Sequence, residues 1–473
     1  MLDIFIVLCV IVISLFFRMY ILSIILACIL IVYVIYYARR KKYKRTKNFT
    51  PPNVVNEFEY YIDINDSYRK MVDMLQVVEH RVIYSCFACN MTAQFCDNNT
   101  MQQLLNDAAE RGVEITIFYN TTAEYTNNTI QDLTDMLDSR IHITTITAEK
   151  QLPTALQGVL KQKSYSYNHQ KFLICDQTIL FGGCDIDPWE RKGYHIINQN
   201  DFYWHEIAVC FTVQQSFIDW LIQFRTLKRI QVGKMPLPPA PYINKQSEID
   251  TMLYMIDNSV NMIYMEHQLL AMTQFSNTFS QAIVDALGNR LTKACKNNEN
   301  LQINILTNVS QDDEYNMFTQ FFSSNTLILC VCHILDNVPS EYKQQALEKL
   351  NIYRLRNGTH NIKVHSNIFI TDDPNNDYHL IRTSSNLSDR SFGSGCCDIE
   401  LGVYIQGDKV FDLYNELILR HTDGQSTITE TGFLEKINVS CDNELLRSTS
   451  LFITQTHPAT GNCKHKMNIQ NVR

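Results

Sequence analysis

Two histidines lie in matching settings in this chain. His169 is followed by Lys171 and Asp176, and His365 is followed by Asp372, so the His and the Asp both recur at an offset of 196 residues. On a strand, His169 and Lys171 point to the same face because side chains alternate. Two histidines beside fixed positive charge can share the work of phosphodiester exchange, one as nucleophile and the other as proton donor.

Each histidine motif leads into a turn of small residues. The first turn is Gly182-Gly183-Cys-Asp185, and the second contains Ser384-Ser-Asn386. The two glycines allow the backbone to come close to a ligand. Asp185, Ser384 and Asn386 are therefore candidate substrate-binding residues.

Four carboxylates recur with the repeat. Glu206 and Glu400 match at an offset of 194 residues. A carboxylate that is hydrogen-bonded to a histidine fixes the tautomer of the ring and stabilises the imidazolium, and these two glutamates are the candidates for that role. Asp176 and Asp372 are expected to support the fold of the two motifs. This chemistry needs no metal and no cofactor, and neither is predicted.

The elements around the histidines also recur, which predicts two similar halves. In each half a strand, a helix and a second strand precede the histidine strand, at 81–87, 100–111 and 113–119 and again at 261–265, 279–296 and 301–307. Helices between strands favour an α/β sheet with helices on its faces. The proline-rich segment 236–241 indicates a linker. We expect domains at 48–241 and 242–425 that pack with pseudo-twofold symmetry.

The N-terminus predicts a membrane anchor. Residues 2–17 and 19–37 are almost purely apolar, and the second segment is long enough to span a bilayer, which needs about 20 residues. A secretory signal is the alternative, but the second segment is too long for one. The basic cluster at 39–47 favours a cytosolic body. Residues 1–47 are thus predicted as one or two transmembrane helices on a phospholipid membrane. Residues 426–473 form a tail without an assigned role.

Charge and cysteine usage exclude other classes. Residues 1–47 carry a net charge of +7 and the whole chain −8, which leaves −15 for the body. An acidic body repels nucleic acid at long range, so nucleic acid is an unlikely partner. Cys86 and Cys89 have no second pair at zinc-like spacing and are interpreted as part of a packed strand.

The motifs resemble those of the phospholipase D superfamily, whose signature is H-x-K-x4-D followed by G-[SG]-x-[ND]. Trp204-His-Glu206, Tyr264-Met-Glu-His-Gln268 and Ser384-Ser-Asn-Leu-Ser-Asp-Arg-Ser391 are similar to the eukaryotic branch in particular. The resemblance covers about residues 55–425 and implies two tandem phospholipase D-like α-β-α sandwich domains. It also implies a lipid substrate, a phosphohistidine on His169, and His365 as acid and then base. The anchor is similar to that of bacterial cardiolipin synthases.

Two departures from the signature leave the activity open. Five residues rather than six separate Asp176 from Gly182, and Asn367 stands where a lysine is expected. Losing one preorganised donor costs about 3–4 kcal/mol, or about 10²–10³ in rate. Asn367 stays a candidate substrate-binding residue. Three hypotheses remain: a phospholipase D-type enzyme, a degenerate lipid-binding protein that remodels membranes, and a single-strand exonuclease.

Overall fold

The computed structural model describes most of the predicted body. The described residues are 49, 51, 55–87, 89–120, 130–147, 149–150, 165–166, 168–186, 191–192, 202–224, 229–231, 242–243, 245–268, 270–271, 278–308, 327, 330–357, 360–388, 391, 399–424 and 432–437. The predicted anchor at 1–47, the linker at 236–241 and most of the tail at 426–473 lie outside them. Within the described ranges, no helix is both long and apolar enough to cross a bilayer.

Helices and strands alternate along the described part of the chain. Its α-helices are α1 Ile64–Val77, α2 Met101–Glu110, α3 Ile130–Met136, α4 Gln215–Ile222, α5 Lys245–Asn258, α6 Thr278–Asn297, α7 Lys343–Lys349 and α8 Asp408–His421. A 3₁₀ turn at Ser340–Tyr342 precedes α7. The alternation confirms the predicted α/β class.

The strands fall into two series, one in each predicted half, except that the last strand lies in the predicted tail. The first series is β1 Glu59–Ile62, β2 Arg81–Ser85, β3 Gln94–Cys96, β4 Asn99–Thr100, β5 Glu114–Asn120, β6 His142–Thr147, β7 Glu149–Lys150, β8 Tyr165–Ser166, β9 Phe172–Cys175, β10 Thr178–Phe181, β11 Arg191–Lys192, β12 Phe202–His205, β13 Ile207–Thr212 and β14 Arg229–Gln231. The second series is β15 Tyr242–Ile243, β16 Met262–His267, β17 Leu270–Ala271, β18 Gln302–Thr307, β19 Leu350–Asn357, β20 His360–Val364, β21 Ile368–Asp372, β22 Tyr378–Thr383, β23 Leu387–Ser388, β24 Gly402–Gln406 and β25 Leu434–Lys436.

The two large sheets share one strand order. The first sheet runs β1-β13-β10-β9-β2-β5-β6-β14, and the second runs β11-β12-β20-β19-β18-β16-β21-β22-β24-β15, with β25 paired to β19. The run β13-β10-β9-β2-β5-β6 matches β24-β22-β21-β16-β18-β19 strand for strand. The sequence repeat is therefore a repeat of structure.

Residue alternation on the strands divides the core into two layers. On β9, Leu173 and Cys175 pack with the buried stripe of α1, which includes Met71 and Leu75. Such period-2 alternation between faces is the geometry of a strand buried on both sides. Phe172 and Ile174 point the other way, into a core that also holds residues of the second half, α4 and α8. This shared core joins the two halves.

Some strands do not stay within the half to which their sequence belongs. β11 and β12 come from the first half but extend the second sheet, where β12 pairs in parallel with β20. β25, in the predicted tail, pairs with β19 through Leu434 and Leu355. The pairing of β12 brings the residue before Glu206 alongside the strand that precedes His365.

Candidate active site

Each candidate histidine is hydrogen-bonded to the candidate glutamate of the other half. His169 Nδ1 lies 3.0 Å from Glu400 Oε2, and His365 Nδ1 lies 2.6 Å from Glu206 Oε2. All four side chains are buried. Each pair joins a residue of one half to a residue of the other, so both pairs lie at the interface between the halves.

The backbone N–H groups of the two histidines are also hydrogen-bonded to the opposite half. The His169 N–H donates to the carbonyl of Ile399 at 2.9 Å, and the His365 N–H donates to the carbonyl of His205 at 2.8 Å. In both cases the acceptor is the residue before the glutamate that bonds the histidine ring. Main-chain and side-chain contacts thus fix each ring from the opposite half.

These contacts select one tautomer of each ring. His169 Nδ1 is also 2.9 Å from the carbonyl oxygen of Ser384, and because a carbonyl can only accept, Nδ1 carries the proton. The carboxylate of Glu206 requires the same of His365. Nε2 is then the nitrogen that bears the lone pair when either ring is neutral.

Glu400 remains an anion beside His169. Burial by itself raises the pKa of Glu400, but its interactions with His169, Lys171 and Ser384 outweigh burial and hold the pKa below its usual range. Ser384 Oγ and Ser391 Oγ also donate to this carboxylate, at 2.6 and 2.7 Å. A fixed negative charge at this point stabilises positive charge on the His169 ring.

A small pocket opens where the two motifs meet. Its lining residues are Lys171, Phe181, Gly182, His365, Asn367, Arg382, Thr383 and Ser384. They come from both halves and include two cations, an imidazole, an amide and hydroxyl groups. Such a set can surround a phosphate with positive charge and hydrogen-bond donors.

Lys171 is held in place by Asp185 and by an aromatic ring. The Lys171 ammonium lies 3.7 Å from Asp185 Oδ2 and 5.5 Å from the centre of the Phe87 ring, and it donates to the carbonyl of His169 at 3.0 Å. Asp185 Oδ1 accepts from the Phe87 N–H at 2.8 Å. Asp185 is buried, and these contacts position the lysine; its predicted role in substrate binding stays a prediction.

Asn367 is tied to the protein backbone. Its Oδ1 accepts from the Gln268 N–H at 3.2 Å, and its Nδ2 donates to the Ser384 carbonyl at 3.3 Å. Asn386 lies nearby, with its Nδ2 3.5 Å from Gln268 Oε1. Asn367 and Ser384 border the pocket, whereas Asn386 is not among its lining residues.

Asp176 and Asp372 each accept from three successive backbone N–H groups. The donors are Glu79, His80 and Arg81 for Asp176, and Val260, Asn261 and Met262 for Asp372. These residues open β2 and β16, so each aspartate ties the end of its motif strand to the neighbouring strand.

Two asparagines that sequence reasoning missed support the histidine strands. Asn120 accepts from the Asn168 N–H at 2.9 Å and donates to its carbonyl at 2.8 Å. Asn308 does the same with Val364, at 2.8 Å for both bonds. Each therefore holds the residue immediately before a candidate histidine. The available signal was an Asn at the end of the corresponding strand of each half.

Arg382 is a further residue of the site that was not predicted from the sequence. It is buried on β22; its Nε donates to the Ile207 carbonyl at 2.7 Å, and its Nη2 donates to Glu206 Oε1 at 2.7 Å. The only signal was an arginine that follows two apolar residues on this strand, Leu380-Ile-Arg382.

The glycine pair also allows other side chains of the protein to come close to the backbone of this turn. A Cβ at Gly182 would lie 2.2 Å from Arg382 Nη2, and one at Gly183 would lie 2.7 Å from Ser67 Oγ. Both glycines have positive φ, at 91° and 63°. The close approach that they permit is thus to side chains of the protein, because the other elements pack directly against this turn.

A buried ionic network underlies the second motif. Glu266 accepts from His205 Nε2 at 2.7 Å, from His421 Nε2 at 3.1 Å and from the hydroxyls of Tyr264 and Ser366. Burial alone lowers the pKa of His205, but the charge of Glu266 reverses this and raises it to about 9. In the described part of the chain, His205, Glu266 and His421 are the group whose ligand atoms could converge on a metal. The hydrogen bonds already satisfy Glu266 without an ion.

Comparisons with known proteins bear on the fold. No protein-family model matches the chain, and no curated protein matches it in sequence. Phosphatidylserine synthase from Haemophilus influenzae Rd KW20 is similar in structure, with a TM-score of 0.52 at 11% identity over 86% of this chain and 95% of that chain. The yeast tyrosyl-DNA phosphodiesterase has a TM-score of 0.41 at 10% identity over 74% of this chain and 90% of that chain.

The likeness to the synthase shows the fold alone. The chain is therefore a mixed α/β protein whose fold is similar to that of the phosphatidylserine synthase.

Proposed function

We propose that this chain is a phospholipase D-type phosphodiesterase or phosphatidyltransferase that works through a phosphohistidine. The observation that supports this most strongly is the pair of crossed histidine–glutamate contacts, at 3.0 and 2.6 Å, beside a pocket that contains Lys171. Each half alone would hold its histidine without an orienting carboxylate. Because each half supplies the glutamate for the histidine of the other half, the two motifs form one site.

In the first step, His169 Nε2 attacks the phosphorus and forms a P–N bond. The P–O bond to the leaving alcohol breaks, and that oxygen takes the proton from Nε2 of the His365 imidazolium. Glu400 stabilises the positive charge that the His169 ring gains. The motif resemblance assigns His169 as the nucleophile, and the reverse assignment uses the same geometry.

In the second step, water or an alcohol gives its proton to His365 and its oxygen bonds to phosphorus. The P–N bond breaks, and the electron pair returns to His169 Nε2. Water yields hydrolysis, whereas an alcohol yields transfer of the phosphatidyl group. Lys171 neutralises charge on the non-bridging oxygens in both steps.

A glycerophospholipid is the substrate that the chain's other features favour. Residues 2–37 are almost entirely apolar, and a basic cluster follows them, which suits a membrane-anchored protein with a cytosolic body. The net charge of −15 on the rest of the chain repels a polyanionic nucleic acid. An anchored enzyme also meets its lipid substrate in the membrane that holds it.

The test is headgroup release from phospholipid vesicles by the purified full chain. We expect release by the wild type and a loss of about 10³ or more for His169→Ala, since a missing nucleophile cannot be replaced. His80→Ala is the matched control, because its side chain is 82% exposed. Undiminished release by His169→Ala would refute the proposal.

Asn367 favours one alternative, a lipid-binding protein without efficient turnover. That alternative predicts wild-type protein that binds vesicles and releases no headgroup, together with activity gained in Asn367→Lys. Digestion of a single-stranded oligonucleotide in place of lipid would instead identify an exonuclease.

A further inference from the structure

The second half of the site lacks the motif lysine yet contains a buried cation of its own. Asn367 occupies the position equivalent to Lys171, and its amide is engaged by the Gln268 N–H and the Ser384 carbonyl. Arg382 lies one strand away on β22, with 2% of its surface exposed, and it lines the same pocket as Lys171 and Asn367.

Strand register identifies the counterpart of Arg382 in the first half. Arg382 pairs with Ile368 on β21 and with Val403 on β24. At the equivalent place, Phe181 pairs with Phe172 on β9 and with Val209 on β13. The first half thus has a lysine directly before β9 and an aromatic residue on β10, whereas the second half has an amide directly before β21 and an arginine on β22.

We propose that Arg382 supplies the positive charge that the second half lacks at position 367, and this inference rests on the proposed function. The pocket then holds one cation from each half, Lys171 and Arg382, around the non-bridging oxygens of a bound phosphate. In the second half the positive charge therefore lies on β22 and not at the position before β21.

The surroundings of Arg382 are built to hold a charged guanidinium. The Ile207, Asn367 and Thr383 carbonyls accept from it, and Glu206 pairs with it at 2.7 Å. Burial lowers the pKa of Arg382, but a guanidinium stays protonated in a protein. Burying a charged side chain costs desolvation free energy that an apolar residue, such as Phe181 at the equivalent position of the first half, does not cost. An arginine is therefore not expected here for packing alone.

The first-half turn also makes room for this side chain. Arg382 Nη2 would lie 2.2 Å from a Cβ at residue 182, and Gly182 provides the space. The Arg382 guanidinium in turn lies 6.0 Å from the centre of the Phe181 ring. The arginine of one half and the glycine turn of the other therefore fit each other.

Arg382 also connects the pocket with the candidate acid. Glu206 bonds Arg382 through Oε1 and His365 through Oε2. The guanidinium thereby orients the carboxylate that sets the tautomer of His365. Its loss is expected to change kcat more than KM, because positioning of the acid matters in the transition state.

The test is to remove Arg382 and then to restore a lysine at position 367. In vesicle assays, Arg382→Met should lower kcat by about 10²–10³. Arg382→Lys, which keeps the charge, should stay within about tenfold of the wild type, and adding Asn367→Lys to Arg382→Met should restore activity at least about tenfold. Arg290→Met is the matched control, since Arg290 is buried and paired with Glu299 at 2.6 Å outside the residues that line the pocket.

A second measurement separates this inference from the proposed function. Binding of inorganic phosphate, followed by isothermal titration calorimetry, should weaken about tenfold in Arg382→Met and recover in the double variant. If the wild type releases no headgroup but shows this binding pattern, the proposed function fails and the inference stands. Phosphate affinity and kcat that stay within about threefold of wild type in Arg382→Met would overturn the inference, as would a loss that Asn367→Lys does not restore.

Discussion

Replacing Glu400 by Gln removes the charge beside His169 while almost preserving shape. Glu400 Oε2 lies 3.0 Å from His169 Nδ1, with the charge centres about 4 Å apart, a separation that corresponds to about 4 kcal/mol at an effective dielectric constant of 20. The His169 ring is neutral before attack and cationic afterwards, so most of this energy is lost from the transition state. The expected fall in kcat is about 10³.

Headgroup release at saturating vesicle concentration measures this fall. KM should change less than kcat, because Glu400 contacts Nδ1 of His169, whereas the lipid phosphate would meet Nε2 on the other side of the ring. Glu299→Gln is the control for loss of a half-buried ion pair outside the pocket lining, since Glu299 pairs with the buried Arg290. A Glu400→Gln variant that folds normally and keeps kcat within about threefold would show that the crossed contact has no catalytic importance.

Three further predictions concern stability. Gly182→Ala should lower the free energy of unfolding in urea by about 1–3 kcal/mol more than Gly112→Ala does. Both residues have positive φ, but only at Gly182 would the added Cβ collide with other atoms. Equal losses in the two variants would contradict this. Burial raises the pKa of Glu248 to about 8, so the folded state keeps a proton that the unfolded chain releases above its usual pKa. Stability should therefore fall as pH rises toward about 8, and Glu248→Gln should flatten the dependence of Tm on pH; an unchanged slope would refute the shift. Asp372→Asn should cost about 1–3 kcal/mol, because it weakens the acceptor of three backbone N–H groups; an unaltered unfolding midpoint would count against that role.

The sequence predicted the repeat well because its signals are local. The predicted strands and helices of both halves agree with β2, α2, β5, β16, α6 and β18 to within two residues at each end. Apolar runs and helical periodicity depend only on neighbouring residues, and the equal spacing of the two motifs confirmed their equivalence. The pairing of Asp176 and Asp372 with the start of the adjacent strand follows from the same repetition.

The sequence could not predict which half completes which histidine. Spacing alone shows that Glu206 and Glu400 are equivalent, but it does not say that each bonds the ring of the opposite half. That exchange depends on β12, which leaves the first sheet to pair with β20. Arg382 was overlooked for the same reason, since its acceptors Glu206 and Ile207 lie about 175 residues away in the chain.

The most direct test of the account is to trap the covalent intermediate. A phosphatidyl ester of p-nitrophenol has a leaving group that needs no protonation, so His365→Ala should complete the first step and stall at the second. Mass spectrometry of the acid-sensitive adduct should then place a phosphatidyl group on His169. Nitrophenol release without any adduct on His169, or an adduct that persists in His169→Ala, would contradict the proposal that the two histidines divide the reaction in this way.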